Sequence, residues 1–258
     1  MHSLWPLALV VLKELVRRKD FYVLFVLTAL LSVLMGSVNF FNTAQIARYL
    51  KEICLALIWI SSLVIAITTT ARQIPAEREN RTIFPLLAKP VSRGQVLMGK
   101  FLGCWLACGL CLLVFYAFFG VLSIGRSAEN NWLLLGQALL LHWAMLGILV
   151  AMTLLGSVVF AAPSSNGTIC FIVSVGILLL GRHLNKVALQ LAEPAQSIIY
   201  AVYFAIPHFE IFDVRDLVIH HVGLVPAGPV ALAVLYAAAY VAVFLLAARL
   251  VFRRQALN

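Results

Sequence analysis

The stretch Ala71–Gly103 reads ARQIPAERENRTIFPLLAKPVSRGQVLMGKFLG, and the layout of the whole chain follows from it. It is the most charged segment between two long apolar runs, with six basic residues (Arg72, Arg78, Arg81, Lys89, Arg93, Lys100) and two acids (Glu77, Glu79). Pro75 suits a first helical turn, where a missing N–H costs nothing. Glu77 and Glu79 follow, near the positive end of that helix's dipole. Ile83, Phe84, Leu86 and Leu87 supply an apolar face. Lys89-Pro90 ends the helix, because the residue before a proline avoids the helical region. Ser92 and Gln95 form an S-x-x-Q capping box for a second helix, with Val91 and Val96 placed as its hydrophobic staple. The expectation is an amphipathic helix over 75–89 lying along a membrane surface, a sharp break, and a freshly capped membrane helix.

Around this stretch the chain is apolar. Of its 258 residues, 63% are hydrophobic and 11% charged, and the mean hydropathy is +1.02. A soluble domain carries about 25% charged residues, so the composition indicates an all-α integral membrane protein. The net charge of +9 sits in short loops beside apolar runs. That is the pattern of the positive-inside rule rather than of a nucleic-acid binder. The first 20 residues lack a continuous apolar core and a small-residue cleavage site, so no cleavable signal peptide is expected. Five cysteines, four inside predicted spans and Cys54 at the edge of one, do not make a disulfide framework.

Crossing a bilayer takes roughly 20 apolar residues. Six spans are expected, at 21–38, 53–70, 96–122, 132–162, 168–180 and 230–252. Before them, 3–19 reads as an interfacial helix, with Leu4, Trp5, Ala8, Leu12, Leu15 and Val16 apolar and Lys13, Arg17, Arg18 and Lys19 basic. Residues 187–206 are apolar enough to span, but Glu193-Pro194 interrupts them. Parity decides the matter. With six spans and both termini on one side, 13 basic residues lie on that side against 6 on the other, and four acids against six. This fits a cytoplasmic face of net +9. Residues 187–222 are therefore read as outer re-entrant helices, and 1–258 as one domain.

Several motifs invite a chemical reading. Gly94 to Phe101 nearly spells a P-loop, but Phe101 replaces the hydroxyl that would hold Mg²⁺ and no strand precedes it. Gly99, Gly103 and Ala107 form a small-x-x-x-small ladder for close helix packing. Cys104, Cys108 and Cys111 share one helical face; thiolates bind Cu(I), yet the neighbours are apolar and the simpler reading is packing. His208, Glu210, Asp213, Asp216, His220 and His221 cluster in the outer region without a standard metal spacing, and read as a solvated face with Arg215 paired to an acid. No metal site is expected. His142 inside the fourth span and Glu193 in the re-entrant region are functional candidates as intramembrane ionisable groups. Asn166-Gly-Thr168 matches a glycosylation pattern but falls on the cytoplasmic side.

The segment Glu77–Gly103 resembles the coupling region of ABC-2 type permeases, the membrane subunits of one class of ABC transporters. That region runs E-x-x-x-x-T, two leucines, K-P-x-S-R, then a basic residue entering the third span. Here these are Glu77, Thr82, Leu86, Leu87, Lys89, Pro90, Ser92, Arg93 and Lys100. Phe84-Pro85 departs from the pattern by placing a proline after Thr82. Ile206 to Arg215 is similar to an outer-loop pattern in the branch holding the copper-processing permease of nitrous oxide reductase maturation. The resemblance implies a homodimeric exporter subunit in the inner membrane. Its coupling helix 75–89 would engage two copies of a cytoplasmic ABC ATPase through Glu77, Arg78, Glu79, Arg81, Thr82, Lys89 and Arg93. ATP and Mg would be bound by that partner, with no cofactor in this chain. The second and fifth spans would line the pathway, which makes Ser61, Ser62, Thr68, Thr69 and Ser174 the lining candidates. A hydrophobic or amphipathic substrate follows from the apolar pathway, with copper or sulfur species as the narrower alternative. The remaining partners are membrane lipid and a periplasmic protein at the outer surface, with no nucleic acid. The rival class is a membrane scaffold or signalling subunit that does not transport.

Overall fold

The computed structural model describes residues 6, 8–11, 13, 22–23, 25–30, 43–79, 92–124, 132–220 and 223–254. Every regular element among them is helical. In chain order these are α1 (Thr43–Ala71), α2 (Pro75–Glu79), α3 (Arg93–Ile124), α4 (Trp132–Val159), α5 (Pro163–Ala188) and α6 (Ala195–Ala205). A 3-10 turn at Phe209–Phe212, α7 (Arg215–His220) and α8 (Ala227–Arg254) complete the series. Among the described residues, five stretches are long and apolar enough to cross a membrane: Lys51–Glu79, Arg93–Val121, Trp132–Val159, Pro163–Gly181 and Ala227–Arg254. The segment Ala195–Ala205 with Phe209–His220, bent by 41°, would make a sixth if it is one broken span. The chain is an all-helical integral membrane protein. Much of the interfacial helix 3–19 and of the span 21–38 lies outside the described residues, as does the coupling helix beyond Glu79.

The helices run past the apolar limits read from sequence. α1 begins at Thr43, well before Ile53, and α5 occupies Pro163–Ala188 rather than 168–180. Hydrophobicity marks where the hydrocarbon lies. A helix satisfies its own backbone and can continue into the polar interface beyond it. Pro163 stands at the first position of α5, where its missing N–H has no partner to lose.

α4 is the central element and packs against α1, α3, α5 and α8. Residues 144–151 of α4 are buried without interruption. A helix that is apolar all round belongs in such a position. Its contact with α3 is a reciprocal clasp. The Trp105 indole N–H donates to the Trp143 carbonyl at 2.9 Å, and the Trp143 indole N–H donates to the Trp105 carbonyl at 3.0 Å. The two rings stack with centroids 4.4 Å apart. Each ring lies over a glycine of the other helix. A Cβ on Gly109 would reach 2.5 Å from Trp143 Nε1, and one on Gly147 would reach 3.1 Å from Trp105 Nε1. W-x-x-x-G thus occurs on both helices, and the copies Trp105 to Gly109 and Trp143 to Gly147 face each other, while a second copy on α4, Trp132 to Gly136, sets its Trp132 ring against Gly120.

Side chains close the ends of the bundle. Ser92 and Gln95 make reciprocal capping bonds at the start of α3, Ser92 N–H to Gln95 Oε1 at 2.8 Å and Gln95 N–H to Ser92 Oγ at 3.2 Å. Arg93 Nη1 donates to the Phe252 carbonyl at 2.6 Å and so covers the C-terminus of α8. At the opposite end Gln137 donates to the Val225 carbonyl at 2.9 Å and accepts from the Val225 N–H at 3.1 Å, fixing the approach to α8. The α8 tyrosines hold the bent segment: Tyr236 accepts from the His208 N–H at 2.9 Å and Tyr240 donates to the Ile206 carbonyl at 3.1 Å.

Candidate functional site

A polar thread runs through the middle of the bundle. Ser62, Tyr116 and His142 come from α1, α3 and α4 and are buried together. The Ser62 hydroxyl donates to the Trp59 carbonyl at 2.9 Å. A hydroxyl has one proton, so Ser62 is left to accept from His142 Nε2–H at 2.9 Å. His142 Nδ1 then accepts the Tyr116 hydroxyl proton, with O and N 3.4 Å apart. The imidazole is stacked on the Trp59 ring at 4.6 Å. Trp59 also carries the Arg215 guanidinium, 4.7 Å from its ring centroid. Arg215 in turn makes a two-bond ion pair with Asp213, both contacts at 2.8 Å. The thread therefore joins the central helix to the bent segment.

Beside Trp59 a cavity of about 680 Å³ opens between α1 and α5. Most of its wall is apolar, from Ile60 and Leu63 on α1 and from Phe171, Val175 and Leu179 on α5. Ile60 and Leu179 are exposed, so the cavity opens sideways. Its polar groups gather at the end nearer the bent segment: His183, Glu210, Asp213 and Arg215. Glu210 leans over Gly181, whose missing Cβ would lie 2.8 Å from Oε2. That oxygen is buried and meets no hydrogen-bond donor among the described residues. The cavity thus has a long apolar wall and one polar pole.

The opposite, basic edge is tied into the bundle. Lys100 Nζ forms an ion pair with Glu77 Oε1 at 2.6 Å and donates to Gln73 Oε1 at 3.1 Å. Gln73 donates onward to the Thr69 carbonyl at 3.2 Å. Arg78 donates to the Val158 carbonyl at 3.4 Å, at the last turn of α4. α2 is therefore fastened to α3 by Glu77 and to α4 by Arg78, while Glu79 is exposed. Asn166 is a third fastening. Fully buried, it donates to the Ala71 carbonyl at 3.4 Å and the Thr153 carbonyl at 3.1 Å, linking α5 to α1 and α4. Gly156 leaves it the room, since a Cβ there would collide with Asn166 Oδ1.

The other residues singled out by sequence fall as follows. Arg81, Thr82, Lys89 and His221 lie outside the described residues. Ser61 bonds Thr28 at 3.0 Å, Thr68 donates to the Val64 carbonyl at 2.8 Å, and Ser174 donates to the Cys170 carbonyl at 2.6 Å. None of these, nor Ser62 or Thr69, is on the wall of the cavity. Gly103 touches Ala8 and Val11 of the N-terminal helical residues, and Gly99 and Ala107 are buried on the same helix. Cys104, Cys108 and Cys111 are buried and form no disulfide among the described residues. Glu193 is exposed and accepts from the Ser197 hydroxyl at 2.6 Å. Sequence reading missed the cavity wall and the tryptophan clasp. The recurring W-x-x-x-G spacing is the signal in the sequence for the clasp, although Trp132–Gly136 shares it without taking part.

Apolar spans, a side-opening cavity with one polar pole, and a basic edge fastened to three helices define a membrane permease domain. The chain belongs to the ABC-2 family transporter protein family, whose sequence model matches residues 5–257. It is a transport subunit of the ABC class rather than an enzyme, and such permeases work with a cytoplasmic ATPase subunit. Comparison with curated proteins gave no match.

Proposed function

We propose that the chain is the membrane subunit of an ABC exporter that moves a hydrophobic or amphipathic molecule while a separate subunit hydrolyses ATP. The cavity between α1 and α5 carries this reading. An apolar tail fits against Ile60, Leu63 and Phe171, and a polar head fits the end formed by His183, Glu210, Asp213 and Arg215. Two copies in the inner membrane, with both termini cytoplasmic, bring two such cavities around one pathway. Copper or sulfur species are the weaker alternative, because Cys104, Cys108 and Cys111 are packed inside the bundle and none is on the cavity wall.

Coupling follows from the fastening of α2. A displacement of the surface helix by the ATPase passes to α3 through Glu77 and Lys100, and to α4 through Arg78. Arg93 carries the same motion to the end of α8. The ATPase closes on ATP and Mg, and the permease shifts between inward- and outward-open populations. The test is reconstitution with the partner ATPase in proteoliposomes. Glu77→Gln with Lys100→Met is expected to leave the ATPase bound and to abolish stimulation of hydrolysis by substrate. Ile60→Trp, which fills the cavity, is expected to reduce transport without releasing the ATPase. Unchanged stimulation in the first variant would refute the coupling route, and unchanged transport in the second would refute the cavity.

A further inference from the structure

We propose that the groove between α3 and α8 at the basic edge is a binding site for an anionic phospholipid. The groove holds about 470 Å³. Its two walls run antiparallel, and their polarity is in register. Ser92, Gly94 and Gln95 at the start of α3 face Arg249 on α8, while Leu97 and Met98 face Leu245 and Leu246 deeper along the helices. Polarity therefore changes once along the groove, from a charged head end to an apolar tail end. Met98 and Leu246 are exposed, so the tail end opens to the side, where a span faces acyl chains.

The head end is built for a negative group. Arg249 is exposed and makes no hydrogen bond or ion pair among the described residues. Its guanidinium lies over Gly94, where a Cβ would come within 3.3 Å of Nε. Arg253 and Arg254 follow on the same helix and are exposed. Among the described residues, no carboxylate is on the groove wall. The carbonyls at the C-terminus of α8 would repel a phosphate, but Arg93 covers the Phe252 carbonyl. The start of α3 adds the positive end of its dipole. Basic pockets between membrane helices take phospholipid head groups in this way.

Charge complementarity selects among occupants. A free phosphate would satisfy Arg249 and leave the leucine wall bare. A zwitterionic lipid would bring its ammonium against Arg249, Arg253 and Arg254. An anionic phospholipid matches both ends, its phosphate on Arg249 and an acyl chain along Leu97, Met98 and Leu246. This site is separate from the α1–α5 cavity and does not depend on what that cavity carries.

The experiment is native mass spectrometry of the detergent-purified chain titrated with phosphatidylglycerol, phosphatidylcholine or inorganic phosphate. Phosphatidylglycerol is expected to be retained over phosphatidylcholine by at least about fivefold, the factor one basic residue near an anionic lipid contributes. Arg249→Gln should remove that preference, and Arg254→Gln, outside the groove, should keep most of it. Leu246→Trp should fill the tail end and lower retention of phosphatidylglycerol itself. Equal retention of the two lipids by the parent chain would overturn the proposal. So would equal losses in Arg249→Gln and Arg254→Gln, which mark diffuse surface charge. Displacement of phosphatidylglycerol by equimolar inorganic phosphate would make this an anion site with no use for the acyl chain, and would overturn it as well.

Discussion

Asn166 sits in an N-G-T triplet that sequence can read only as a modification pattern or as nothing. Its work is elsewhere. One buried amide ties the last carbonyl of α1 and a carbonyl near the end of α4 to the first turn of α5. Removing a partner from buried carbonyls costs about 1–3 kcal/mol. Asn166→Leu should therefore lower the midpoint of thermal unfolding in detergent by several degrees. Asn166→Gln should not restore it, because the extra methylene has no room against Gly156. His142 was visible in the sequence as an ionisable group in a span, and Ser62 as a hydroxyl on the preceding one. Their 2.9 Å bond was not visible, because nothing in either segment fixes which turns of two distant helices share a depth. Glu77 and Arg78 teach the same lesson from the opposite direction. Read from sequence as charges that engage the ATPase, both also bond within the bundle, to Lys100 and to the Val158 carbonyl, since a charge beside a partner at the membrane edge is more stable than one held alone.

Among the elements, helix identity was legible and helix ends were not. The apolar runs name α1, α3, α4, α5 and α8 because a bilayer demands about that length of greasy helix. The Ser92–Gln95 box marks the start of α3 because both of its bonds are local and need only the sequence of one turn. The clasp between α3 and α4 depends on two segments meeting at one register, and neither copy of W-x-x-x-G says so alone. Its energetics are testable. Gly109→Val drives a side chain into the Trp143 ring, and overpacking of this kind costs about 1–3 kcal/mol. Trp105→Phe keeps the stack and loses one indole bond, about 1 kcal/mol. Thermal unfolding should rank the parent chain above Trp105→Phe, and Trp105→Phe above Gly109→Val. An equal midpoint for Gly109→Val would mean that the ring has somewhere else to go.

At the scale of the molecule, the all-helical membrane architecture could be read in advance because composition and hydropathy report the solvent a chain is made for. The cavity could not. Its wall between α1 and α5 is apolar, from residues such as Ile60 and Leu179, and apolar residues on a span look the same whether they face lipid, a neighbour or a cavity. The distribution of fastenings gives an expectation for motion. α3, α4 and α8 are held by the clasp, by Arg93 and by packing along α4; α1 and α5 also pack on α4 and are tied by Asn166, but they part beside Ile60 and Leu179 to leave the cavity. Spin labels at Leu113 and Leu140, on α3 and α4, should give one narrow distance with and without ATP when the chain is assembled with its ATPase. Labels at Ile60 and Leu179 should give a broad or shifting one. Broadening of the first pair would remove the rigid unit from this picture.

The clasp has one more implication. Its two indole bonds point in opposite directions between the same two helices, so sliding one helix along the other by part of a turn breaks both at once. No neighbouring position remakes them, because α3 has a single Trp–Gly step and the other one on α4, Trp132–Gly136, lies about three turns away. The pair has no gears between engaged and disengaged. It behaves as a latch, and force arriving at α3 moves α4 by the same amount instead of being spent as shear between them.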